Sequence, residues 1–333
     1  MFFDEQRNKP ESFSDKLVRM VKKILGFDSS PDKPLVSRDN AKEIIGLVTL
    51  VFLIRTFGFG LYQVPSGSME TTMLVGGRFF ADKLSYLFVN PKIGDVISFN
   101  DPTYPYSSNM LGRLWQNYVW GPANWTKRII GLPGDVMEGR IEDGKPVVYR
   151  NGVKLDEPYI NKYPLVAMFK KDPSGLFQHV SDDCIDEDAF AYTFYSYDPS
   201  KPLDKQPFYR IDPRKVVPNP ERPDRALIRE PGKPIRPTLT NRIENPQGNY
   251  FDGSDVFYIT LADDEYWCLG DNRRASHDCR FFGPIKRSLI HGRILFCIWS
   301  LDSDESWFIV DLIKHPIDFW HRVRWHDCLS WVR

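Results

Sequence analysis

The sequence predicts a mainly β protein: an antiparallel β-sheet domain with an inserted β/loop sub-domain, preceded by one N-terminal transmembrane helix. Three observations predict it. Short apolar or alternating runs bounded by turn residues recur after Gln63. Proline is frequent, at 26 residues, and aromatic residues reach 14%, which suits loops and strands better than a helical bundle. A single apolar stretch, Ile44–Tyr62 (IIGLVTLVFLIRTFGFGLY), is 19 residues long with one charge, Arg55, close to the roughly 20 residues that a bilayer core requires.

The bulk numbers bound the function classes. A chain of 333 residues allows about two domains of roughly 150 residues. An apolar fraction of 42% and a charged fraction of 26% exclude wholesale disorder. A mean hydropathy of −0.39, with one spanning candidate, excludes a polytopic membrane protein. Lys+Arg and Asp+Glu are 44 each, so no net field recruits nucleic acid, and none is expected as a partner.

Taken in order, residues 1–43 are polar and mixed in charge. Their best helical pattern is Phe13–Leu25, with Phe13, Leu17, Val18 and Val21 on one face; a membrane-surface helix and a solvated helix packed on something else are both compatible with it. Residues 44–62 form the expected span, with Arg55 snorkelling toward a headgroup layer. Lys33, Arg38 and Lys42 precede it and only Arg78 follows within twenty residues, which keeps the N-terminus in the cytoplasm and exports the rest. A cleaved leader is not expected, because the stretch starts late and no A-x-A-like site follows it.

Strands are expected at Asp95–Phe99, Val256–Leu261, Tyr266–Leu269 and Arg293–Trp299, and a hairpin at Val147–Leu155 around Asn151-Gly152. Residues 63–162 and 255–306 then make the main β domain. Residues 163–254 are rich in proline and charge and read as an insertion, while 307–333 mix Trp307, Trp320, Trp325 and Trp331 with arginines. That last segment fits either an interfacial contact or an aromatic end-piece packed on the domain. The five cysteines, Cys184, Cys268, Cys279, Cys297 and Cys328, contain no C-x-x-C pair. They read as mostly free buried thiols, with a Cys268–Cys279 bridge as one alternative. No histidine pattern points to a metal, and no cofactor is expected.

Three clusters carry chemistry. Pro65-Ser66-Gly67-Ser68-Met69-Glu70-Thr71-Thr72-Met73 places two hydroxyls around a glycine just after the apolar stretch. Lys127-Arg128-Ile129-Ile130-Gly131-Leu132-Pro133-Gly134-Asp135 reads as a strand entering a tight turn. Gly270–Gly283 (GDNRRASHDCRFFG) concentrates turn formers, charges and a hydroxyl between two strands. Alone, each fits an ordinary loop or a surface lysine.

Together and in this order, the clusters closely resemble the bacterial type I signal peptidases, also called leader peptidases. The family patterns are P-S-G-S-M-x-P-T-L, K-R-x-x-G-x-P-G-D and G-D-N-R-x-x-S-x-D-S-R-x-x-G. This chain departs from them at Thr71, Met73 and Cys279. The resemblance spans about residues 44–160 and 255–300. It implies a serine–lysine dyad, with Ser68 as nucleophile and Lys127 as general base, in place of a histidine-based triad. It further implies an oxyanion hole from the Ser68 backbone N–H and the Ser66 hydroxyl, a Ser276 hydroxyl that orients the lysine, and an ion-pair scaffold of Arg128, Asp271, Asp278 and Arg280. The expected partners are exported preproteins, the phospholipid membrane and the protein export machinery. The expected place is the bacterial inner membrane, single-pass, with the β domain outside the cytoplasm. Cleavage after A-x-A implies two shallow apolar pockets, lined near Gln63–Ser68 and Val96–Phe99. Met69, Ile129 and Ile130 are candidate apolar neighbours of the lysine amine. Alternatives are a conjugative-transfer processing peptidase, which shares the motifs, and a non-catalytic membrane-anchored binding paralogue. The self-cleaving SOS repressors are soluble and carry a DNA-binding helix-turn-helix, which this chain replaces with an apolar stretch.

Overall fold

The structure, a computed structural model, describes residues 38–163, 165–170, 192–196, 198, 200–202, 206, 216–217, 227–228, 243–244, 248–303 and 308–333. The expected helix at Phe13–Leu25, Cys184 and Trp307 lie outside these. The chain divides into two units, Met1–Gly58 and Phe59–Arg333.

In the first unit, helix α1 (Arg38–Leu53) continues through a π-helical turn, Ile54–Gly58. Its apolar side chains, including Ile45, Val48 and Leu50, are exposed. The second unit opens on strand β1 (Phe59–Gln63), which pairs antiparallel with β2 (Gly77–Asp82). This corrects the expected helix over 44–62, because its last four residues are strand. An apolar run does not distinguish a helix from a strand by itself. The aromatic-rich FGLY segment finds a partner strand in register, Gly60 opposite Ala81 and Tyr62 opposite Phe79. A side chain at Gly60 would stand 2.5 Å from the Tyr62 ring, so glycine lets that ring fold back along the strand. Among the described residues, no helix is long and apolar enough to cross a membrane.

The remaining strands are β3 (Val96–Asn100), β4 (Asn124–Gly131), β5 (Val136–Glu142), β6 (Lys145–Arg150), β7 (Val153–Lys154), β8 (Leu165–Lys170), β9 (Tyr192–Ser196), β10 (Val216–Val217), β11 (Leu227–Ile228), β12 (Ile243–Glu244), β13 (Tyr250–Phe251), β14 (Phe257–Thr260), β15 (Glu265–Leu269), β16 (Ile285–Lys286) and β17 (Ile290–Ser300). The main sheet runs β1-β2-β17-β3-β4-β15-β16, and a second runs β12-β13-β14-β5-β6-β7. In a third, β8 pairs with β9, β10 and β11. The strand pairings are antiparallel throughout. The expected strands near 95, 256, 266 and 293 are therefore present as β3, β14, β15 and β17. The Asn151-Gly152 turn joins β6 to β7 with φ of 53° and 77°, the left-handed geometry that a two-residue hairpin turn requires.

β3 sits between β17 and β4, and every one of its residues is buried. That explains why VISF reads as a continuous run rather than an alternation. One side of the main sheet packs Ile97, Phe99, Ile129 and Trp267 with Phe257 and Ile259 of β14. Another cluster gathers Val64, Met69, Met73, Phe79, Ala81, Val96, Ile294 and Cys297.

Helix α2 (Met110–Tyr118), between β3 and β4, had no counterpart in the sequence reading. The Asn109 side chain caps it by accepting from the Leu111 N–H at 3.0 Å. After α3 (Cys279–Phe282), helices α4 (Phe308–Lys314) and α5 (Asp318–Arg322) close the chain. Phe319 and Val323 pack with Leu301, and Trp331 sits edge-on to Phe296. The C-terminal aromatics thus pack on the domain, although Trp320, Trp325 and Trp331 keep exposed faces. Cys268, Cys279 and Cys297 are buried free thiols and Cys328 is half-buried and free, so the Cys268–Cys279 bridge is absent.

Candidate active site

The three sequence clusters meet where β4 outruns β15. On one flank β4 pairs with β3 from Arg128 to Asn124. On the other, β15 ends with Leu269 opposite Arg128. Asn124–Lys127 therefore presents an edge without a strand partner among the described residues. Two loops fill the corner: the one after β1, carrying Ser68, and the one after β15, residues 270–283.

Ser68 lies in a 3-10 turn, Gly67–Met69. The turn is held from below by Met69 and Met73, which are 2% and 1% exposed. Backbone bonds from Val64 to Gly77 and from Met73 to Met69 close the loop. Met73 thus occupies the core place that the family pattern gives to leucine, a volume-conserving exchange.

Lys127 is 5% exposed. Its Nζ donates to Ser68 Oγ at 3.1 Å and to the Thr126 carbonyl at 3.0 Å. Burial removes hydration from the ammonium and lowers its pKa from 10.5 to about 8, with Asp278 pulling the other way. Met69, Ile129 and Ile130 are all buried.

The loop after β15 grips the serine turn. The Asn272 N–H donates to the Ser68 carbonyl at 3.1 Å, and Asn272 Nδ2 donates to the Gly67 carbonyl at 3.0 Å. A Cβ at Gly270 would lie 2.1 Å from Ser276 Oγ and 2.6 Å from the Ser68 carbonyl oxygen. The two loops approach this closely because position 270 has no side chain. The sequence reading gave neither Gly270 nor Asn272 a role; their only signal was membership of the G-D-N triplet. Ser276 is fully buried, and its hydroxyl lies beside the Asp278 carboxylate, whose pKa it helps to lower. The Lys127 amine is directed to Ser68 and Thr126, and the Ser276–Lys127 bond expected from the motif is not made in this arrangement. Ser66 is exposed and extended, with φ −138° and ψ 155°.

Buried ion pairs fix the corner. Arg128 binds Asp271 through two bonds of 2.9 and 2.7 Å, donates to the Gly94 carbonyl at 2.9 Å, and stacks 4.1 Å from the centre of the Tyr159 ring. Thr72, next to the family-variant Thr71, bonds Asp271 and so links the first cluster to the third. Arg280 pairs with Asp278 at 2.8 and 2.9 Å and with Asp255. Burial alone would raise the Asp278 pKa, but the charge and bonds of Arg280 and the Gly270 N–H outweigh it and bring it to about 2. Arg273 pairs with Glu157, a contact outside the expected scaffold. Cys279, where the family pattern has serine, accepts a bond from the Cys268 N–H at 3.1 Å.

The chain matches the family described as signal peptidase, peptidase S26, over residues 37–299. Signal peptidase I of Buchnera aphidicola subsp. Acyrthosiphon pisum is 26% identical over 273 residues, covering 77% of this chain and 73% of that one. Signal peptidase I of Aquifex aeolicus is 25% identical over 79% of this chain and 84% of its own. A probable signal peptidase I-2 of Synechocystis is 36% identical over 37% of this chain and 50% of its own. With most of its length matched and these relatives alongside, the chain belongs to the signal peptidase family, peptidase S26, and is a serine endopeptidase that removes signal peptides from preproteins.

Proposed function

We propose that Ser68 is the nucleophile of this reaction and Lys127 its general base. The observation that carries the assignment is a buried amine 3.1 Å from Ser68 Oγ with its pKa lowered to about 8. A serine hydroxyl needs a neighbouring base, and an amine at its ordinary value near 10.4 would be almost wholly protonated at neutral pH. The neutral Lys127 amine takes the Oγ proton as Oγ bonds to the scissile carbonyl carbon. The Ser68 N–H and the exposed Ser66 hydroxyl stabilise the resulting oxyanion. The ammonium then returns its proton to the leaving amine, the C–N bond breaks, and an acyl-Ser68 intermediate remains. A water, deprotonated by Lys127, cleaves that ester. Ser276, buried against Gly270 and beside Asp278, is the proposed acceptor that orients the ammonium once Ser68 has given up its proton. Arg128, Asp271, Asp278 and Arg280 act as scaffold.

The exposed apolar side chains of residues 45–53 support membrane anchoring of this part of the chain, and the flanking basic residues support a cytoplasmic N-terminus with the β domain exported. Signal-bearing preproteins would then reach Ser68 beside the bilayer, delivered by the export machinery. The test is cleavage of a preprotein by purified full chain in detergent. Ser68→Ala and Lys127→Ala should each abolish turnover, and Lys127→Arg should fail as well, because a guanidinium does not deprotonate. Near-normal turnover by Lys127→Ala would refute the assignment.

A further inference from the structure

β17 is 11 residues long, and its two edges are covered differently. β2 pairs along one edge from Arg293 to Ser300, but β3 covers the other only from Ile290 to Arg293. Beyond Arg293, residues 330–333 take the place of β3. The Cys297 N–H donates to the Ser330 carbonyl and the Val332 N–H to the Leu295 carbonyl, both at 2.8 Å, and Trp331 pairs with Phe296 as an antiparallel bridge. Successive side chains of an extended segment face opposite ways. Trp331 is accordingly exposed and Val332 half-buried. Just upstream, Arg324 fastens the segment, donating to the Val75 carbonyl at 2.8 Å and pairing with Asp302 at 3.3 Å.

None of residues 330–333 takes part in the chemistry proposed above, yet the segment reaches the supports of both proposed partners. Val332 packs into the cluster that holds Met69 and Met73, the two side chains beneath the Ser68 turn. The Arg333 carbonyl accepts from Arg128 Nη2 at 3.0 Å, and Arg128 directly follows Lys127 on β4. Arg128 is buried, and a guanidinium presents its donors in a rigid fork. That fork also holds Asp271 and the Gly94 carbonyl, so the Arg333 carbonyl helps to fix where it sits. Asp271 is followed by Asn272, whose N–H holds the Ser68 carbonyl. The contact through Val332 and the contact through Arg128 thus both lead to Ser68.

We propose that residues 330–333 form a positioning strand for the dyad, in which Val332 braces the Ser68 turn and the Arg333 main-chain carbonyl anchors Arg128, so that Ser68 Oγ stays within reach of Lys127 Nζ. This deepens the dyad reading and rests on it. The role belongs to one inward side chain and to the backbone. Trp331 is larger but turns outward onto the Phe296 ring, and contributes packing rather than alignment. Without the segment, the serine turn and the guanidinium fork each lose a fixed contact. A misplacement of about 1 Å between reacting groups is enough for roughly a hundred-fold loss of rate. The segment pairs with β17 and not with the open edge of β4, so the loss falls on kcat and spares KM.

The test is steady-state cleavage of a preprotein by purified full chain in detergent. It is set beside a chain lacking residues 330–333 and the variants Val332→Ala, Val332→Ile and Trp331→Ala, with circular dichroism and thermal melts to check each fold. The shortened chain should lose about a hundred-fold in kcat, with KM changed by less than about two-fold. Val332→Ala should lose about ten-fold in kcat, while Val332→Ile keeps the brace and should stay within about two-fold of wild type. Trp331→Ala should keep its kcat even where its melting temperature falls. The pH profile separates positioning from a loosened corner. Besides burial, the groups acting on the Lys127 amine are Asp278, Cys279, Cys268 and Arg280, none of them in the segment. Every variant should therefore keep the ascending limb of kcat/KM near pH 8, and a limb moved toward 10.5, the mark of water around the amine, overturns the positioning role. So does an unchanged kcat in the folded shortened chain, or a kcat loss in Trp331→Ala as large as that in Val332→Ala. If the shortened chain does not fold, the Val332 and Trp331 variants decide. Turnover by Lys127→Ala would instead count against the dyad reading itself.

Discussion

A lysine ammonium taken out of water loses hydration that a nearby carboxylate only partly replaces. Lys127, opposed by Asp278 but still dominated by burial, is left with a pKa of about 8. Two consequences follow at this residue. First, kcat/KM should rise with pH through about 8 as the amine becomes neutral, and a profile without an ascending limb there would contradict a lysine base. Second, the unfolded chain holds the Lys127 proton up to its ordinary 10.5 while the fold releases it near 8. Between those values the unfolded state binds more protons, so this group's contribution to stability rises with pH. Below the lower value the full penalty of burying the ammonium persists. Lys127→Met should therefore be more stable than wild type near neutral pH, by up to about 3 kcal/mol, even as it is inactive. The gain should shrink in denaturant melts repeated near pH 10.

At the scale of the element, the loop after β15 acts as the clamp on the serine turn, and its grip depends on Gly270 and Asn272. Gly270→Ala would drive a methyl against the Ser68 carbonyl and Ser276. Because one of those atoms is backbone, the serine turn must move, and a shift of about 1 Å is enough for roughly a hundred-fold loss. The expected outcome is that loss in kcat, with circular dichroism unchanged. Asn272→Ala removes the side-chain bond to Gly67 and keeps the backbone bond to Ser68. It should lower kcat by about ten-fold with KM little changed, as loss of a positioning contact does. Equal losses for the two variants would argue against this division of labour.

Over the whole molecule, the β4 strand, the loop after β15 and the segment around Asp255 are tied by charges buried in the same corner. Asp278, depressed to about 2, contributes stability that is complete above its unfolded value of 3.8 and disappears as pH falls through about 2. Melting temperature should therefore drop between those limits. Arg280→Ala strands Asp278 and Asp255 together and should cost about 3–5 kcal/mol, with unfolding followed in urea as the measurement. Much of this architecture was readable beforehand. β3, β14, β15 and β17 announced themselves as apolar runs between turn residues, and Asn151-Gly152 marked its hairpin because few other pairs accept two left-handed conformations. Other elements were silent. Residues 59–62 looked like the end of a helix because only the partner strand β2 distinguishes the two readings. Helix α2 does carry Met110, Leu111, Leu114, Trp115 and Tyr118 at helical spacings, but at nine residues it is shorter than the window over which that period is read.

Local pattern alone pointed to the strand-rich class and, through three short motifs, to the family and to the proposed pairing of Ser68 with Lys127. That is possible because turn chemistry, strand alternation and motif spacing are properties of neighbouring residues. Three-dimensional packing set everything that depends on distant residues meeting: the 3.1 Å gap between hydroxyl and amine, the burial that lowers the lysine's pKa, the missing Cys268–Cys279 bridge, and the open edge of β4. Desolvation and register depend on what lies across a sheet or beneath a loop, and a linear string of residues does not encode them position by position.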